Sequence, residues 1–189
     1  MVRTIGVVVG IPEPWGSLLD EHRLASGDPM APYIPAHLTL LGPVTVDPSP
    51  ETTAEIEAHL AAVAAAQPPF RVRLAGTGTF RPVTQVVFVA VAGGMDECEI
   101  LASEIRSGPL LRPLAYPYHP HVTVAHDVST EALDEVSAAL ATFEGQFAVD
   151  GFTLYEHGPD GHWHPQRTFS LTLTDSELNR TSGVTASES

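Results

Sequence analysis

"HLTLLGP" at residues 37–43 and "HVTVAHD" at residues 121–127 each place a histidine two positions before a threonine, with apolar residues at the positions between and after them. This alternation is typical of a β-strand, in which residues two positions apart lie on the same face. In each motif the histidine and the threonine are therefore expected to share one face, while the leucines or valines turn toward a core. A polar pair on one face of a strand must meet either water or a ligand.

The segments around the two motifs repeat one plan. A Pro-rich loop precedes each motif, and an Ala-rich helix and a pair of alternating strands follow it; the two histidines are 84 residues apart. We therefore predict an internal pseudo-repeat and an α+β fold. The expected architecture is bilobal, with two antiparallel sheets and flanking helices related by a pseudo-two-fold axis around a central cleft.

Hydrophobic periodicity predicts the other elements. Ser49 suits an N-cap and Pro50 the first turn of the clearest helix. Strands are predicted at residues 3–11, 37–42, 70–80, 84–91, 121–126, 146–156 and 167–173, and helices at 13–26, 49–66, 95–107 and 130–142. Residues 1–174 are predicted to form a single two-lobed domain, and the polar, aperiodic residues 175–189 a disordered C-terminal tail.

The composition limits the class of protein. The net charge is −14 at pH 7, and all nine basic residues are arginine. Binding along a nucleic-acid backbone needs clustered positive charge, so we expect no long duplex as a partner. A single cysteine excludes an internal disulfide, and no apolar run approaches the ~18 residues of a membrane helix. The N-terminal segment is interpreted as a strand rather than a signal peptide, and we expect a cytoplasmic monomer without membrane contact.

The two motifs suggest a chemistry if a pseudo-two-fold axis makes them face each other. His37 and His121 would bring two imidazoles to one point, and Thr39 and Thr123 would add two hydroxyls. Imidazole titrates near ~6.5 when unperturbed, so one ring can be neutral while the other is protonated. Such an acid–base pair, with hydroxyls that stabilise charge on a phosphoryl oxygen, suits cleavage of a phosphodiester without a metal.

The motifs in their frames "PAHLTLLGPV" and "YHPHVTVAH", together with "GTGTFRPVTQVVFVAV" between them, resemble the 2H phosphoesterase superfamily, particularly its 2′-5′ RNA ligase and 2′,3′-cyclic phosphodiesterase members. The resemblance spans about residues 3–173. It implies a bilobal α+β fold with a central cleft and a site carried by His37, Thr39, His121 and Thr123.

The resemblance also implies a mechanism for that site. One histidine activates water, or a 5′-hydroxyl in the ligation direction, while the other protonates the departing ribose oxygen of a 2′,3′-cyclic phosphate. On this basis we expect His121 as the base and His37 as the acid, giving a 2′-phosphate product. The threonine hydroxyls would hold the phosphate oxygens.

Residues near the motifs are further candidates for binding substrate. Phe80 is a candidate to stack on a base and Arg81 to pair with a phosphate. Tyr118 lies in the Pro-rich loop before the second motif, where it can reach the mouth of the cleft. Weaker candidates, each equally explained as a packing or solvated residue, are Tyr33, Tyr116, His119, His126 and Arg167.

These observations favour an enzyme, namely a metal-independent cyclic phosphodiesterase that needs no cofactor and acts on 2′,3′-cyclic nucleotides or RNA ends. Two alternatives are a non-catalytic module that binds phosphorylated nucleotides and a 2′-5′ RNA ligase, which the acidic composition disfavours. A third is a metal hydrolase built on His157, His162 and His164 near Asp160. Loop histidines beside glycine and proline are more often solvated, so no metal site is expected.

Overall fold

Eight strands and four helices make up the computed structural model, which describes residues 2–172. The strands are β1 (Arg3–Gly10), β2 (His37–Val46), β3 (Phe70–Thr79), β4 (Val86–Gly93), β5 (His121–His126), β6 (Glu144–Val149), β7 (Gly151–His157) and β8 (Trp163–Ser170). The helices are α1 (Trp15–Ala25), α2 (Pro50–Ala65), α3 (Met95–Ile105) and α4 (Thr130–Ala139). None of the helices in the described range is long and apolar enough to cross a membrane. The tail predicted at 175–189 lies outside the described residues.

The strands form two antiparallel sheets, each built from both halves of the chain. The strand order is β2-β1-β7-β8 in the first sheet and β5-β4-β3-β6 in the second. The predicted α+β fold with two antiparallel sheets is therefore confirmed, and the two motif strands, β2 and β5, occupy the same edge position. The halves also exchange strands, because β3 is an inner strand of the second sheet and β7 an inner strand of the first.

The helix after each motif begins with the same type of cap. The Ser49 hydroxyl accepts a hydrogen bond from the N–H of Thr52 at 3.2 Å, and the Ser129 hydroxyl accepts one from the N–H of Ala132 at 3.2 Å. A cap of this kind satisfies one of the amide donors that the first turn of a helix leaves unpaired. The predicted start of α2 is confirmed, and α4 repeats it as an internal repeat requires.

The core fixes which face of each motif strand remains available. Leu38 and Leu40 on β2, and Val122 and Val124 on β5, are at most 1% exposed within one continuous apolar cluster. Complete burial of such a side chain stabilises the fold by about 1.5–3 kcal/mol. Because these residues hold one face of each strand against the core, the histidine and threonine of each motif must lie on the other face.

The segment predicted as one strand at 146–156 consists of two strands in different sheets. The chain leaves β6 at Asp150, whose carbonyl accepts a hydrogen bond from the N–H of Leu171 at 2.8 Å. At Gly151 a Cβ would lie 2.7 Å from the carbonyl oxygen of Phe169, so this close approach requires glycine. The Asp-Gly pair is a turn signal, and here it overrides the continuous alternation.

Two other strand bounds differ from the prediction. The last strand begins at Trp163 rather than at 167 and includes Pro165, which β8 tolerates because it is an edge strand. The first motif strand continues past Gly42 and Pro43 to Val46, with register shifts against β1. In both strands the proline therefore lies at an irregularity within the strand and does not end it.

Candidate active site

The two motifs meet where the sheets adjoin. The edge strands β2 and β5 lie against each other, and the core packs on their opposite faces. His37 and Thr39 are half-buried on β2, and His121 and Thr123 are half-buried on β5. The fold thus brings His37, Thr39 and His121 to the walls of two adjoining cavities, whereas Thr123 shares the face of His121 on β5 but lies outside both walls.

A backbone carbonyl orients each motif histidine in the same way. The Nδ1–H of His37 donates to the carbonyl of Pro35 at 2.8 Å, and that of His121 donates to the carbonyl of His119 at 2.7 Å. A carbonyl only accepts, so Nδ1 carries the proton in both rings. The neutral form of each ring then has its lone pair on Nε2, which is the atom available for proton transfer.

Burial and neighbouring positive charge favour the neutral form of both imidazole rings. Burial lowers the pKa of His37 from 6.5 to about 4; the Pro35 carbonyl opposes this shift, and the charges of Arg23 and His121 add to it. Burial also lowers the pKa of His121, again against its carbonyl bond and with the help of the His119 charge. The charge of His121 acts on His37, as expected of rings in the same site.

A large aromatic cavity opens beside His121. It has a volume of about 470 Å³, and its wall includes Phe80, Tyr116, Tyr118 and His119. The ring of Phe80 meets that of His121 edge to face, with centroids 4.9 Å apart and planes at 90°. Apolar and aromatic walls with a few polar groups at one end are typical of sites for small organic ligands.

A smaller cavity lies on the His37 side. Its volume is about 160 Å³, and it is lined by His37, Thr39, Tyr155, Trp163 and Arg23. Thr39 and Gly42 also line the larger cavity, so the two spaces adjoin at the first motif. Sequence reasoning missed Arg23, because a lone arginine on a helix forms no motif and only the tertiary fold buries it.

Tyr118 connects the two motif strands. Its hydroxyl donates to the carbonyl of Thr39 at 2.9 Å, and the guanidinium of Arg106 lies over its ring, 5.0 Å from the centroid. Burial raises the pKa of Tyr118, so the hydroxyl remains a donor. Tyr118 therefore lines the larger cavity as predicted for a cleft residue, while its hydroxyl satisfies a carbonyl at the edge of β2.

Tyr118→Phe is expected to lower the free energy of unfolding by about 0.5–1.5 kcal/mol, because it removes one intramolecular hydrogen bond and leaves the Thr39 carbonyl unpaired. Urea unfolding of the variant and the wild-type protein measures the difference. Tyr116→Phe is the matched control, since Tyr116 is 66% exposed and should give no change. Equal stability of the Tyr118→Phe variant and the wild type would show that the bridge contributes nothing.

Some residues chosen from the sequence lie away from both cavities. The guanidinium of Arg81 bonds to Asp134 on α4 at 2.8 Å, so the structure gives it a carboxylate partner rather than a place in the cavity wall. Arg167 likewise bonds to Glu57 on α2 at 2.5 Å. His126 lies 3.3 Å from Asp127. Local sequence could not reveal the two arginine pairs, because each arginine meets its acid across a long stretch of chain, whereas His126 and Asp127 are adjacent.

The histidine-rich segment near residue 160 forms an exposed cluster. The Oδ1 atom of Asp160 accepts a hydrogen bond from Nε2 of His164 at 3.0 Å, and its Oδ2 atom lies 3.5 Å from Nδ1 of His162. The ring of His162 packs edge to face against that of Tyr33. Within residues 2–172, no group of three or more histidine, cysteine or acidic residues is arranged to hold a metal ion.

Known proteins are similar to this chain in sequence and in fold. Residues 11–161 match the model of the family described as the 2′-5′ RNA ligase superfamily. The "Putative phosphoesterase" of Oceanobacillus iheyensis is 27% identical over 146 residues, which cover 76% of this chain and 84% of that protein. A protein of the same description from Bacillus licheniformis is 31% identical over 149 residues, which cover 76% and 85%.

Two solved structures have a similar fold. E. coli LigT, solved in complex with NADP+, superposes with a TM-score of 0.64 at 22% identity, covering 92% of this chain and all of that one. The TT0787 protein of Thermus thermophilus superposes with a TM-score of 0.64 at 25% identity, covering 89% and 97%. The resemblance stated from the two motifs is confirmed, and the two-sheet fold is the one found in these structures.

Proposed function

The chain belongs to the 2′-5′ RNA ligase superfamily, and on that premise we propose that it is a metal-independent phosphodiesterase that hydrolyses the 2′,3′-cyclic phosphates of nucleotides or RNA ends. The names of its curated relatives support the phosphoesterase class. The observation that carries the finer proposal is the matched orientation of His37 and His121, each with Nδ1–H bonded to a carbonyl and Nε2 available.

In the proposed reaction one imidazole takes a proton from water and the other gives one to the ribose. The Nε2 atom of His37 accepts the proton as the water oxygen bonds to phosphorus. The bond from phosphorus to one ribose oxygen breaks, and Nε2–H of His121 protonates that oxygen. The product is a phosphomonoester, proposed to be the 2′-phosphate, and both rings return to their starting states when His37 passes its proton back to His121 through solvent.

The lowered pKa of His37 supports its role as the base, the reverse of the assignment made from the resemblance. A pKa of about 4 keeps this ring neutral, and therefore able to accept a proton, across the physiological range. The positive charge of Arg23 opposes protonation of His37 and is not among the causes that lower the pKa of His121, while the repulsion between the two imidazoles is mutual. Protonation is therefore less opposed by charge at His121, which favours that ring as the acid.

The two cavities support a position for each part of the substrate. Thr39 lines both, so a phosphate held by its hydroxyl lies between the two spaces. Thr123 lines neither cavity, and its predicted role as the second hydroxyl stays a proposal based on the repeated motif. We propose that the nucleoside occupies the larger cavity and stacks on Phe80. E. coli LigT, which has this fold, has been solved with 3′-AMP, and this supports a ligand of the nucleotide class.

The proposal predicts hydrolysis that survives removal of metal. The full chain, treated exhaustively with EDTA, is expected to convert 2′,3′-cyclic nucleotides to phosphomonoesters at the rate of the untreated protein, since two imidazoles replace the metal. Phosphorus NMR follows the loss of the cyclic signal and identifies the 2′- or 3′-phosphate.

Three outcomes would contradict parts of this proposal. Activity lost in EDTA and restored by zinc would favour the metal hydrolase. Tight binding in calorimetry without turnover would favour the binding module. Joining of RNA ends by a 2′-5′ bond without hydrolysis would favour the ligase.

A further inference from the structure

Arg23 is buried beside the first motif with part of its guanidinium unpartnered. The side chain lies in the last turn of α1, the residue is 5% exposed, and its Nε donates to Asp28 at 2.8 Å. Its Nη1 atom is inaccessible to solvent and has no hydrogen-bond partner among residues 2–172. Burial of a charged donor without an acceptor is costly, so an acceptor in the adjoining cavity would relieve that cost once the guanidinium turns Nη1 toward it.

The small cavity provides the route for such an acceptor. Arg23 lines it together with His37 and Thr39, which are the residues of the first motif. Its volume is about 160 Å³, about a third of the roughly 470 Å³ of the larger cavity. This space suits a phosphate group and is too small for a nucleoside, which the adjoining larger cavity can hold.

The carboxylates of Asp28 and Asp20 lie near Arg23, and each also accepts a hydrogen bond from a backbone N–H. Asp28 accepts the Arg23 Nε–H with one oxygen and the N–H of Met30 at 2.8 Å with the other. Asp20 accepts the N–H of Ala36 at 2.6 Å. Each carboxylate thus shares its charge with a backbone donor, and the Arg23 charge is still felt at His37.

The second half of the chain repeats the placement. Arg106 directly follows α3 and comes 15 residues before His121, and Arg23 lies in the last turn of α1 and comes 14 residues before His37. Arg106 lines the larger cavity together with His121. The repeated unit is therefore an arginine at a helix end followed by a histidine and a threonine on an edge strand.

We propose that the small cavity is a phosphate subsite in which the Arg23 guanidinium donates to the non-bridging oxygens of the phosphate beside His37. The inference rests on the proposed function for the identity of that phosphate as the scissile group. The planar guanidinium offers two parallel donors to two phosphate oxygens, which a lysine ammonium cannot do.

Binding of inorganic phosphate tests the subsite without any turnover. In calorimetry, Arg23→Lys is expected to weaken phosphate binding about tenfold, and Arg23→Gln about ten- to a hundredfold, since charge-assisted hydrogen bonds are lost. Arg73→Lys is the control, because Arg73 bonds to Glu144 at an exposed site and should bind phosphate as the wild type does. Melting temperatures verify that each variant is folded.

Two further measurements separate binding from support of the fold. Asp28→Asn removes the ion pair but keeps Arg23, so phosphate affinity should stay within about threefold of the wild type. If Asp28→Asn weakened binding as much as Arg23→Lys does, Arg23 would act only through the ion pair. In the unaltered protein, added phosphate should shift the Arg23 Nε–H NMR signal, a readout that needs no variant.

The inference is overturned if wild type binds no phosphate, if the Arg23 variants bind it unchanged, or if the Nε–H signal does not move. Failure of the proposed function is a different result. In that case wild type would bind phosphate through Arg23 but hydrolyse no cyclic nucleotide, and the subsite would stand as a binding site of another reaction or of a sensor.

Discussion

Replacing His37 or His121 with alanine is expected to lower kcat/KM for a 2′,3′-cyclic nucleotide by at least ~10²-fold, and by as much as ~10⁴-fold. This is the range that one positioned proton-transfer group contributes. The Nε2 atoms of the two rings act in the same displacement, so the double variant should lose less than the product of the two single losses. Initial rates of the three variants and the wild type, measured on one substrate, give these ratios.

The control for these variants is another histidine of the same chain. His164 lies on β8, is exposed, and bonds to Asp160 at 3.0 Å. His164→Ala should leave kcat/KM unchanged. The two-histidine mechanism is refuted if either motif variant keeps more than about a tenth of the wild-type kcat/KM while remaining folded.

The pH dependence of kcat/KM should form a bell with its optimum on the acid side of neutrality. The base must be neutral, and the pKa of His37 is lowered to about 4, so activity is lost on that side only as the pH falls through about 4. The acid must be protonated, and burial lowers the pKa of His121 below 6.5, so kcat/KM falls about tenfold per pH unit above that lowered pKa.

A pH series on the wild type and His121→Gln checks the assignment of the two limbs. The variant has no titrating acid at this position, so it should have a lower rate and lack the fall at high pH. Circular dichroism at each pH separates acid unfolding from loss of activity. An upper limb above pH 7, or one that persists in His121→Gln, would contradict the acid role of His121.

The elements that position the motifs were predictable because local and tertiary preferences agree there. The alternation in "HLTL" and "HVTV" is satisfied by burial on one face, and Ser49 with Pro50 starts a helix in the expected place. The repeated motif then indicated a duplicated fold. These features depend on hydrophobic periodicity and helix capping, which can be recognised from the order of the residues alone.

Other features depend on partners that are distant along the chain. Arg23 becomes a site residue because the fold buries it beside His37, and Arg81 is drawn away from the cavity by Asp134. At Asp150 the alternating pattern continues while the chain passes from one sheet to the other, since both sheets have an apolar inner face. The pattern of polar and apolar residues predicts which face of a strand or helix a side chain occupies. It does not identify the residues that the side chain contacts there.

The distribution of the strands leaves few chain connections between the two sheets. Every strand belongs wholly to one sheet, and within residues 2–172 the chain passes from one sheet to the other only twice, through the segment that contains α2 and at Asp150. The spacing of the two imidazoles therefore depends on the packing of β2 against β5 and on the hydrogen bond from Tyr118 to the Thr39 carbonyl, since no backbone pairing joins the two sheets in the described residues. A ligand in the aromatic cavity also meets the exposed loop at 111–117, which lies outside both sheets and contributes Tyr116 to the cavity wall.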